Sequence, residues 1–507
     1  MKGSLGKSSL TGIAQFIIST LLVFIAIPIF VRILGTEAYG IFSLVAIVGS
    51  VNTFANFGLN SSLVRFLAEQ GKTKESDHDI IITFIISIVI LCPLTLGGIL
   101  FHNSILVHIL SVPIQLLGDA RWLFFSMLIG NIFILLGQVF TAILDSQQKV
   151  YLTNFYQMIY NIIYWSTILI AISFGYSLKG VAMAMLIATI IWFSIVTISA
   201  LRSWGKLSFR GLRNDAMRII GKQLSYGLKI YTAGILGFFH EPIAKILVSH
   251  FIGVTEVGFF DIGLRVKNQV VGLFNKLLTP LYPAISKLTQ TDNFKFLVHD
   301  IEQKIFLAVI PITGIIILTA DPIINLIFYS QADIISITVI YIVSAYLLGS
   351  TTVIPMYLFL MAKGHPSKII IVQGLNAVVN AIFFFLFLPW LGYYAIVVST
   401  VASISSSFGL LISYQKRYLD SLIFDSKKQL AAVIVSFIIA FSLGYYTTII
   451  IESIMWKIIT PSIIVVLMTI ITYRYFALLN HADINRYFGE NTALSKLSVR
   501  ILCKYYR

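Results

Sequence analysis

Ile252–Phe260 reads IGVTEVGFF, and 218 residues earlier Leu34–Phe42 reads LGTEAYGIF. Gly35, Gly40 and Phe42 stand opposite Gly253, Gly258 and Phe260. Further along, Lys149, Asn154, Gln157 and Asn161 stand opposite Lys368, Gln373, Asn376 and Asn380 at an offset of 219. Each match is weak alone. Agreement on one period marks an internal duplication, and the period organises the chain better than any single motif.

The duplicated material is membrane-like. Hydrophobic residues make up 58% of the 507 and charged residues 11%, with a mean hydropathy of +0.92. Soluble domains carry about 25% charged residues. Apolar runs close to the ~20 residues of a membrane-crossing helix fall near 12–31, 40–64, 80–101, 121–144, 154–174, 181–201, 230–250, 258–283, 305–320, 334–361, 369–388, 394–413, 430–451 and 458–474. These fourteen spans predict an all-α polytopic membrane protein, and the alternating segments of an outer-membrane barrel are missing. The first span has no small-residue cleavage site and reads as a span rather than a signal peptide. The period superposes six spans on six. Six is even, so both copies enter from one side as parallel repeats about an axis along the membrane normal. The expected organisation is an N-lobe over 1–201, a basic amphipathic linker over 202–229, a C-lobe over 230–413, two extra spans within 414–479 and a basic tail over 480–507.

The formal net charge of +15 is distributed as topology, not as a nucleic-acid surface. With the N-terminus inside, inward segments hold 28 of the 36 Lys and Arg residues, outward segments hold four, and the charged spans hold the remaining four. That asymmetry is the positive-inside rule, which puts both termini in the cytoplasm. The linker alternates Arg202, Lys206, Arg210, Arg213, Arg218, Lys222 and Lys229 with Trp204, Leu207, Phe209, Leu212, Met217, Ile219 and Ile220, the pattern of an interfacial helix on anionic lipid. Cys92 and Cys503 offer no disulfide framework, the eight His residues form no metal-ligand spacing, and no phosphate-binding loop with its Lys occurs. Catalysis, a metal and an ATP-driven pump are therefore not indicated. No cofactor is expected, and coupling would fall to H+, Na+ or the membrane potential.

Two neighbouring spans carry charge in their interiors. Tyr231–His250 contains Glu241 and Lys245, and Gly258–Pro283 contains Asp261, Arg265, Lys267 and Lys276. An ionisable group in hydrocarbon costs at least ~2.5–3.5 kcal/mol, so it is kept where it faces a bundle interior or a polar cavity. Glu241–Lys245 and Asp261–Arg265 have the i, i+4 spacing of ion pairs; as pairs they serve structure or coupling. Four cations against two carboxylates leave the locus net positive, which points to an anion site at Arg265, Lys276 and Lys267, although Lys267 near a span end also suits snorkelling. Asp261, Arg265, Asn268, Gly272 and Lys276 share one helical face, as do Asn52, Asn56 and Asn60 in the equivalent span of the first copy. Amides suit sugar hydroxyls, but they also serve as interhelical glue; both readings stand for the three asparagines. Pro242 removes a backbone donor and predicts a kink in span seven.

Three stretches carry a family resemblance. IPIFVRILGTEAYGIFSLV (Ile27–Val45), HEPIAKILVSHFIGVTEVGFF (His240–Phe260) and LTPLYPAIS (Leu278–Ser286) resemble the MOP superfamily of multidrug, oligosaccharidyl-lipid and polysaccharide exporters. Within it the chain is most similar to the polysaccharide-export branch, the Wzx-type O-antigen and oligosaccharide flippases. The resemblance implies two MATE-like six-helix lobes about a central cavity. It further implies transfer of an undecaprenyl-pyrophosphate-linked oligosaccharide to the outer leaflet, beside polysaccharide polymerase machinery. Where family members often carry Asp this chain has Glu241, and Lys245 one turn on lies outside the pattern. A multidrug exporter of the MATE type and a lipid II flippase are the alternatives. The cationic locus speaks against the first. Against the second, Arg32 is the lone basic residue near the first lobe's cavity.

The charge distribution makes a topological prediction. Cysteines introduced at Ser203 and Thr255 should label from opposite sides of the membrane, Ser203 from the cytoplasm; labelling of both from outside would contradict fourteen spans.

Overall fold

The computed structural model describes residues 2–49, 56–278, 293–328, 331–362, 365–419, 427–476 and 478, and its regular elements are helices throughout. The first, α1 (Lys2–Gly49), has 48 residues. At 1.5 Å per residue it runs about 72 Å, more than twice a ~30 Å hydrocarbon core. It is therefore two crossings, and they divide at Gly35, whose φ of 86° and ψ of 163° interrupt the helix. The first copy of the repeated glycine thus makes the turn between spans one and two.

There follow α2 (Leu59–Gln70), α3 (Lys74–Leu100), α4 (Leu117–Ser146), α5 (Val150–Ser173), α6 (Leu178–Trp204), α7 (Leu212–Phe251) and α8 (Val254–Leu278). Then come α9 (Asn293–Phe328), α10 (Ala332–Ala345), a π-helical stretch over Tyr346–Thr351, and α11 (Ile354–Ala362). The last are α12 (Pro366–Leu391), α13 (Tyr394–Leu419), α14 (Lys427–Ile450) and α15 (Ile454–Tyr475). Among the described residues eleven helical stretches are long and apolar enough to cross a membrane. The two crossings of α1 count once in that figure, and the charged α7 and α8 occupy the places of spans seven and eight. The helices of the described residues thus agree with about fourteen spans, and the protein is a multi-pass membrane protein.

The chain forms two compact units, Met1–Asp261 and Ile262–Arg507. The division falls inside α8 rather than in the basic linker, because the linker is bound into the first unit. Ile219 of α7 is buried against Leu59, Ile82 and Ile86, with Ile220 and Leu224 beside it. The core of this unit joins Leu63 and Leu67 of α2, Ile80 of α3, Phe140 and Ile143 of α4, and Trp192, Val196 and Trp204 of α6. Amides hold α5 to α1: Asn154 Nδ2 donates to Ser8 O at 3.1 Å, and Asn161 donates to the Ser19 hydroxyl. In the second unit Val298 of α9, Met356 and Leu360 of α11, Val372 of α12, and Leu411 and Leu419 of α13 make one apolar cluster. α14 and α15 pack on α9 through Leu307, Ile310, Val433 and Tyr473.

The repeated glycines meet inside the first unit. A Cβ on Gly40 would lie 2.0 Å from the Val254 carbonyl oxygen, and one on Gly258 would lie 2.9 Å from the Thr36 carbonyl oxygen. Thr36 and Val254 stand at the same 218-residue offset as Gly40 and Gly258. The contact is thus reciprocal, each copy offering its glycine to the other's turn. Backbones this close admit no side chain, which is the physical reason that this glycine appears in both copies. Gly40→Ala should lower thermal stability and folded yield by at least the ~1–3 kcal/mol of ordinary overpacking, since the obstacle is backbone. Gly97→Ala, with no atom within 4 Å of the new Cβ, should leave both unchanged; unfolding curves in detergent decide.

Candidate functional site

The centre of the charged locus is Asp261 on α8. Its side chain is 3% exposed and both carboxylate oxygens are taken. Lys245 Nζ on α7 donates to Oδ1 at 2.5 Å, and the Tyr39 hydroxyl on α1 donates to Oδ2 at 2.5 Å. Tyr39 is fully buried, its ring 5.6 Å from Phe30 and 6.0 Å from Phe42. The close crossing at Gly40 and Gly258 brings it there: Tyr39 precedes one glycine, and Asp261 follows the other within a turn. A carboxylate and an ammonium so paired neutralise each other, and the pair bolts α7 to α8 and α8 to α1. The i, i+4 spacing assigned Asp261 to Arg265 and Lys245 to Glu241; in the structure Asp261 holds Lys245 from the neighbouring helix.

Beyond Asp261 the stripe on α8 opens outward. Arg265 is half-buried, while Asn268 and Lys276 are exposed. Arg265 and Lys276 lie eleven residues apart, roughly 16 Å along the helix. Lys267 belongs to another face. It is 4% exposed with Nζ 4.3 Å from the centre of the Tyr346 ring, so a cation–π contact in place of snorkelling carries its charge. Glu241 is half-buried on α7, whose helix continues through Pro242.

The three asparagines expected on one helical face are not arranged so. Asn52 lies outside the described residues. Between Asn56 and Asn60 the chain turns, with φ of 45° at Phe57 and 73° at Gly58, and α2 begins at Leu59. The turn follows from a second tight crossing, for a Cβ on Gly58 would fall 2.3 Å from the Gly227 carbonyl oxygen. Asn56 donates to Gln138, and its Oδ1 accepts from the Asn60 amide at 3.0 Å, capping α2. Asn60 Oδ1 is buried without a partner among the described residues. The span-eight exit LTPLYPAIS lies outside the described residues beyond Leu278.

A polar cluster that span-by-span reading missed sits at the start of α3, where Lys74–Asp79 reads KESDHD. Asp77, His78 and Asp79 are all buried. Asp77 accepts from Trp204 Nε1 at 2.7 Å and from Ser208 N at 3.0 Å; Asp79 accepts from Lys222 Nζ at 3.0 Å; His78 Nδ1 lies 2.9 Å from Asp215. The His78 hydrogen bond first, with the Arg218 charge, holds Asp215 below the usual carboxylate range. The available signal was a run of charges abutting an apolar span. Among the described residues no His, Cys, Asp and Glu group suits a metal ion.

Long apolar helices, a close glycine crossing at Gly40 and Gly258 and a buried charged pair beside it describe a polytopic membrane protein. The chain belongs to the polysaccharide biosynthesis protein family, whose model matches residues 5–289, more than half of its length. No curated protein matches it significantly. The lipid II flippase MurJ, in its inward closed conformation, superposes with a TM-score of 0.76 at 17% identity, covering 92% of this chain and 98% of that one. An outward-facing multidrug resistance MATE family transporter of the MOP superfamily superposes with a TM-score of 0.61 at 17% identity, covering 82% and 95%. The Vibrio cholerae MATE transporter VcmN superposes with a TM-score of 0.59 at 14% identity, covering 83% and 98%. At these identities the likeness is one of fold.

The Lys245–Asp261 pair can be tested by removal. Asp261→Ala strands an ammonium and should cost about 3–5 kcal/mol, whereas Asp261→Ala with Lys245→Ala should regain most of that loss. Tyr39→Phe should cost less, about 1–3 kcal/mol. Thermal unfolding in detergent measures all three, and a double variant no more stable than the single one would dissolve the pair.

Proposed function

We propose that this protein flips a lipid-linked oligosaccharide, carried on undecaprenyl pyrophosphate, from the inner to the outer leaflet of a bacterial inner membrane for surface polysaccharide or O-antigen synthesis. The carrying observation is the cationic stripe of α8, in a chain of the polysaccharide biosynthesis family with a flippase-like fold. Lys276 is exposed, and no carboxylate among the described residues lies within 4 Å of it. A solvated cation on a membrane-depth helix fits an anionic headgroup better than a structural role.

One pyrophosphate cannot span the roughly 16 Å between Arg265 and Lys276, so the stripe acts as a relay. Under the positive-inside topology, with both termini cytoplasmic, Lys276 meets the headgroup on entry. Arg265, whose planar fork suits two phosphate oxygens, holds it deeper. Asn60 and Asn268 are the amides assigned to sugar hydroxyls. Asn56, spent on Gln138 and the cap of α2, is assigned to structure. Asp261 and Lys245, bound to each other, are assigned to scaffold. Lys267 keeps the role of a fixed positive charge beside the stripe.

The second reading, a lipid II flippase, is favoured by the TM-score of 0.76 to MurJ over 92% of this chain. Both substrates are lipid-linked and differ in the group that the lipid carries. The test is transport in proteoliposomes with fluorescent lipid-linked oligosaccharide and, separately, lipid II. The expected outcome is transport of the first alone. Arg265→Ala should reduce it at least about tenfold at unchanged abundance, the loss of ~1.4 kcal/mol or more, and Arg265→Lys should retain part of it. Equal transport by Arg265→Ala would move the anion site elsewhere; transport of lipid II alone would establish the second reading.

A further inference from the structure

Glu302 of α9 and Gln415 of α13, both in the second unit, have no exposed surface. Val298 lies one turn before Glu302, and Leu411 and Leu419 lie one turn to either side of Gln415; all three belong to one apolar cluster. The pair is therefore set among hydrocarbon side chains. Gln415 Nε2 donates to Glu302 Oε2. Two acceptors are left over: neither Glu302 Oε1 nor Gln415 Oε1 has a partner among the described residues.

Among the described residues no cation pairs with this carboxyl. Its nearby donors are the Gln415 amide and the Met356 backbone, both neutral. On α9 itself, Asp300 and Lys304 bind each other at 2.6 Å, and half-buried His299 partners neither left-over oxygen. On α13, Lys416 and Arg417 are exposed, and Tyr414 and Tyr418 face other groups: Lys368 Nζ of α12 lies 5.6 Å from the Tyr414 ring centre, and the His365 ring lies 5.3 Å from that of Tyr418. On α11 the titratable group is the half-buried Tyr357. An ionised carboxylate here would face an amide oxygen with nothing to offset it.

We propose that Glu302 and Gln415 form a proton-binding site, in which Glu302 is a neutral carboxylic acid whose Oε1–H donates to Gln415 Oε1. A carboxylic acid and a primary amide close an eight-membered ring of two hydrogen bonds. The left-over atoms are the two that this ring requires, one on each partner, so a single proton satisfies both. Within the ring the carboxyl buries no charge, which removes the chief penalty of placing it in an apolar interior. Release of the proton turns the ring's second hydrogen bond into a contact between a carboxylate and a carbonyl oxygen. Ionisation therefore forces α9 and α13 apart at this point, or admits water. The site links protonation to the packing of the second unit, whatever the protein transports.

The test needs no substrate, so its outcome is separate from that of the proposed export. Glu302→Gln replaces the acid–amide ring by an amide–amide ring with the same two hydrogen bonds. It should fold with wild-type yield and unfolding temperature near neutral pH. The infrared difference between wild type and this variant should show the C=O stretch of a protonated carboxyl, shifted by carbon-13 labelling of glutamate. The pH dependence has a definite sign. The folded state holds a proton that the unfolded chain releases at neutral pH, so wild-type stability should fall as pH rises into the alkaline range. That slope should be absent in Glu302→Gln. Ionised-carboxylate bands in place of the protonated one, or a wild-type stability that rises with pH, would overturn the site. If Glu302→Gln does not fold, the labelled wild-type spectrum and its stability profile decide alone.

Discussion

The structure turns on a backbone contact that leaves no room for a side chain. At Gly40 and Gly258 the two copies of the repeat press their turns together, each against the carbonyl of the residue equivalent to the other's neighbour. Such a contact is isologous in the way a twofold interface is, with patch i on j and j on i, although both patches belong to one chain. Everything polar nearby is organised by it. Tyr39 can reach Asp261 only because no side chain intervenes, and Asp261 can neutralise Lys245 only because α8 turns back along α7 at Gly253. Lipid provides no hydrophobic drive between helices, so close packing and satisfied polar groups must supply the adhesion. The repeated glycines supply the first, and the Lys245–Asp261–Tyr39 group supplies the second.

The same logic explains why the linker belongs to the first unit. Lys222 and Arg218 reach Asp79, Glu75 and Asp215, while Ile219 and its neighbours fill the apolar gap beneath. Surface ion pairs contribute little, and Arg218 with Glu75 is of that kind. Asp79 is not, since it is fully buried and its partner Lys222 is largely so. Removing either member would leave a buried charge, so this pair acts as a fastener rather than a surface ornament. The basic linker residues thus divide by function. Those engaged with α3 carry structure, whereas Arg210 and Arg213 are exposed.

How much of this is legible in the sequence depends on the range of the interaction. The spans are legible because each depends on some twenty consecutive residues, and the crossing glycines because duplication prints them twice. The partner of Asp261 is not legible. Lys245 is sixteen residues away across a turn, and the local i, i+4 rule names Arg265 with equal chemical plausibility. Asp79 and Lys222 are 143 residues apart, and no periodicity connects them. The asparagine face failed for a different reason. Helical periodicity presumes a continuous helix, and positive φ at Phe57 and Gly58 breaks it. The warning was Gly58 itself, whose lack of a Cβ is used against Gly227. Glu302 escaped notice because it stands with Asp300 and Lys304 just before an apolar run, where such a charged cluster reads as a solvated end.

The charged groups of the membrane region therefore sort by what surrounds them. Asp261 and Lys245 are closed on each other, Lys267 is buried against an aromatic face, and Glu302 is enclosed with an amide. Each holds helices together, and each would be costly to expose. Lys276 differs, being on the same helix as Asp261 yet open to its surroundings. Both kinds stand on one helix: the closed pair at Asp261 fixes α8 to α7 and α1, and about four turns on Lys276 stays exposed. In the export proposed above, fixed pairs would keep the helices rigid enough to move as bodies, and the open cation would bind an anionic cargo loosely enough to release it.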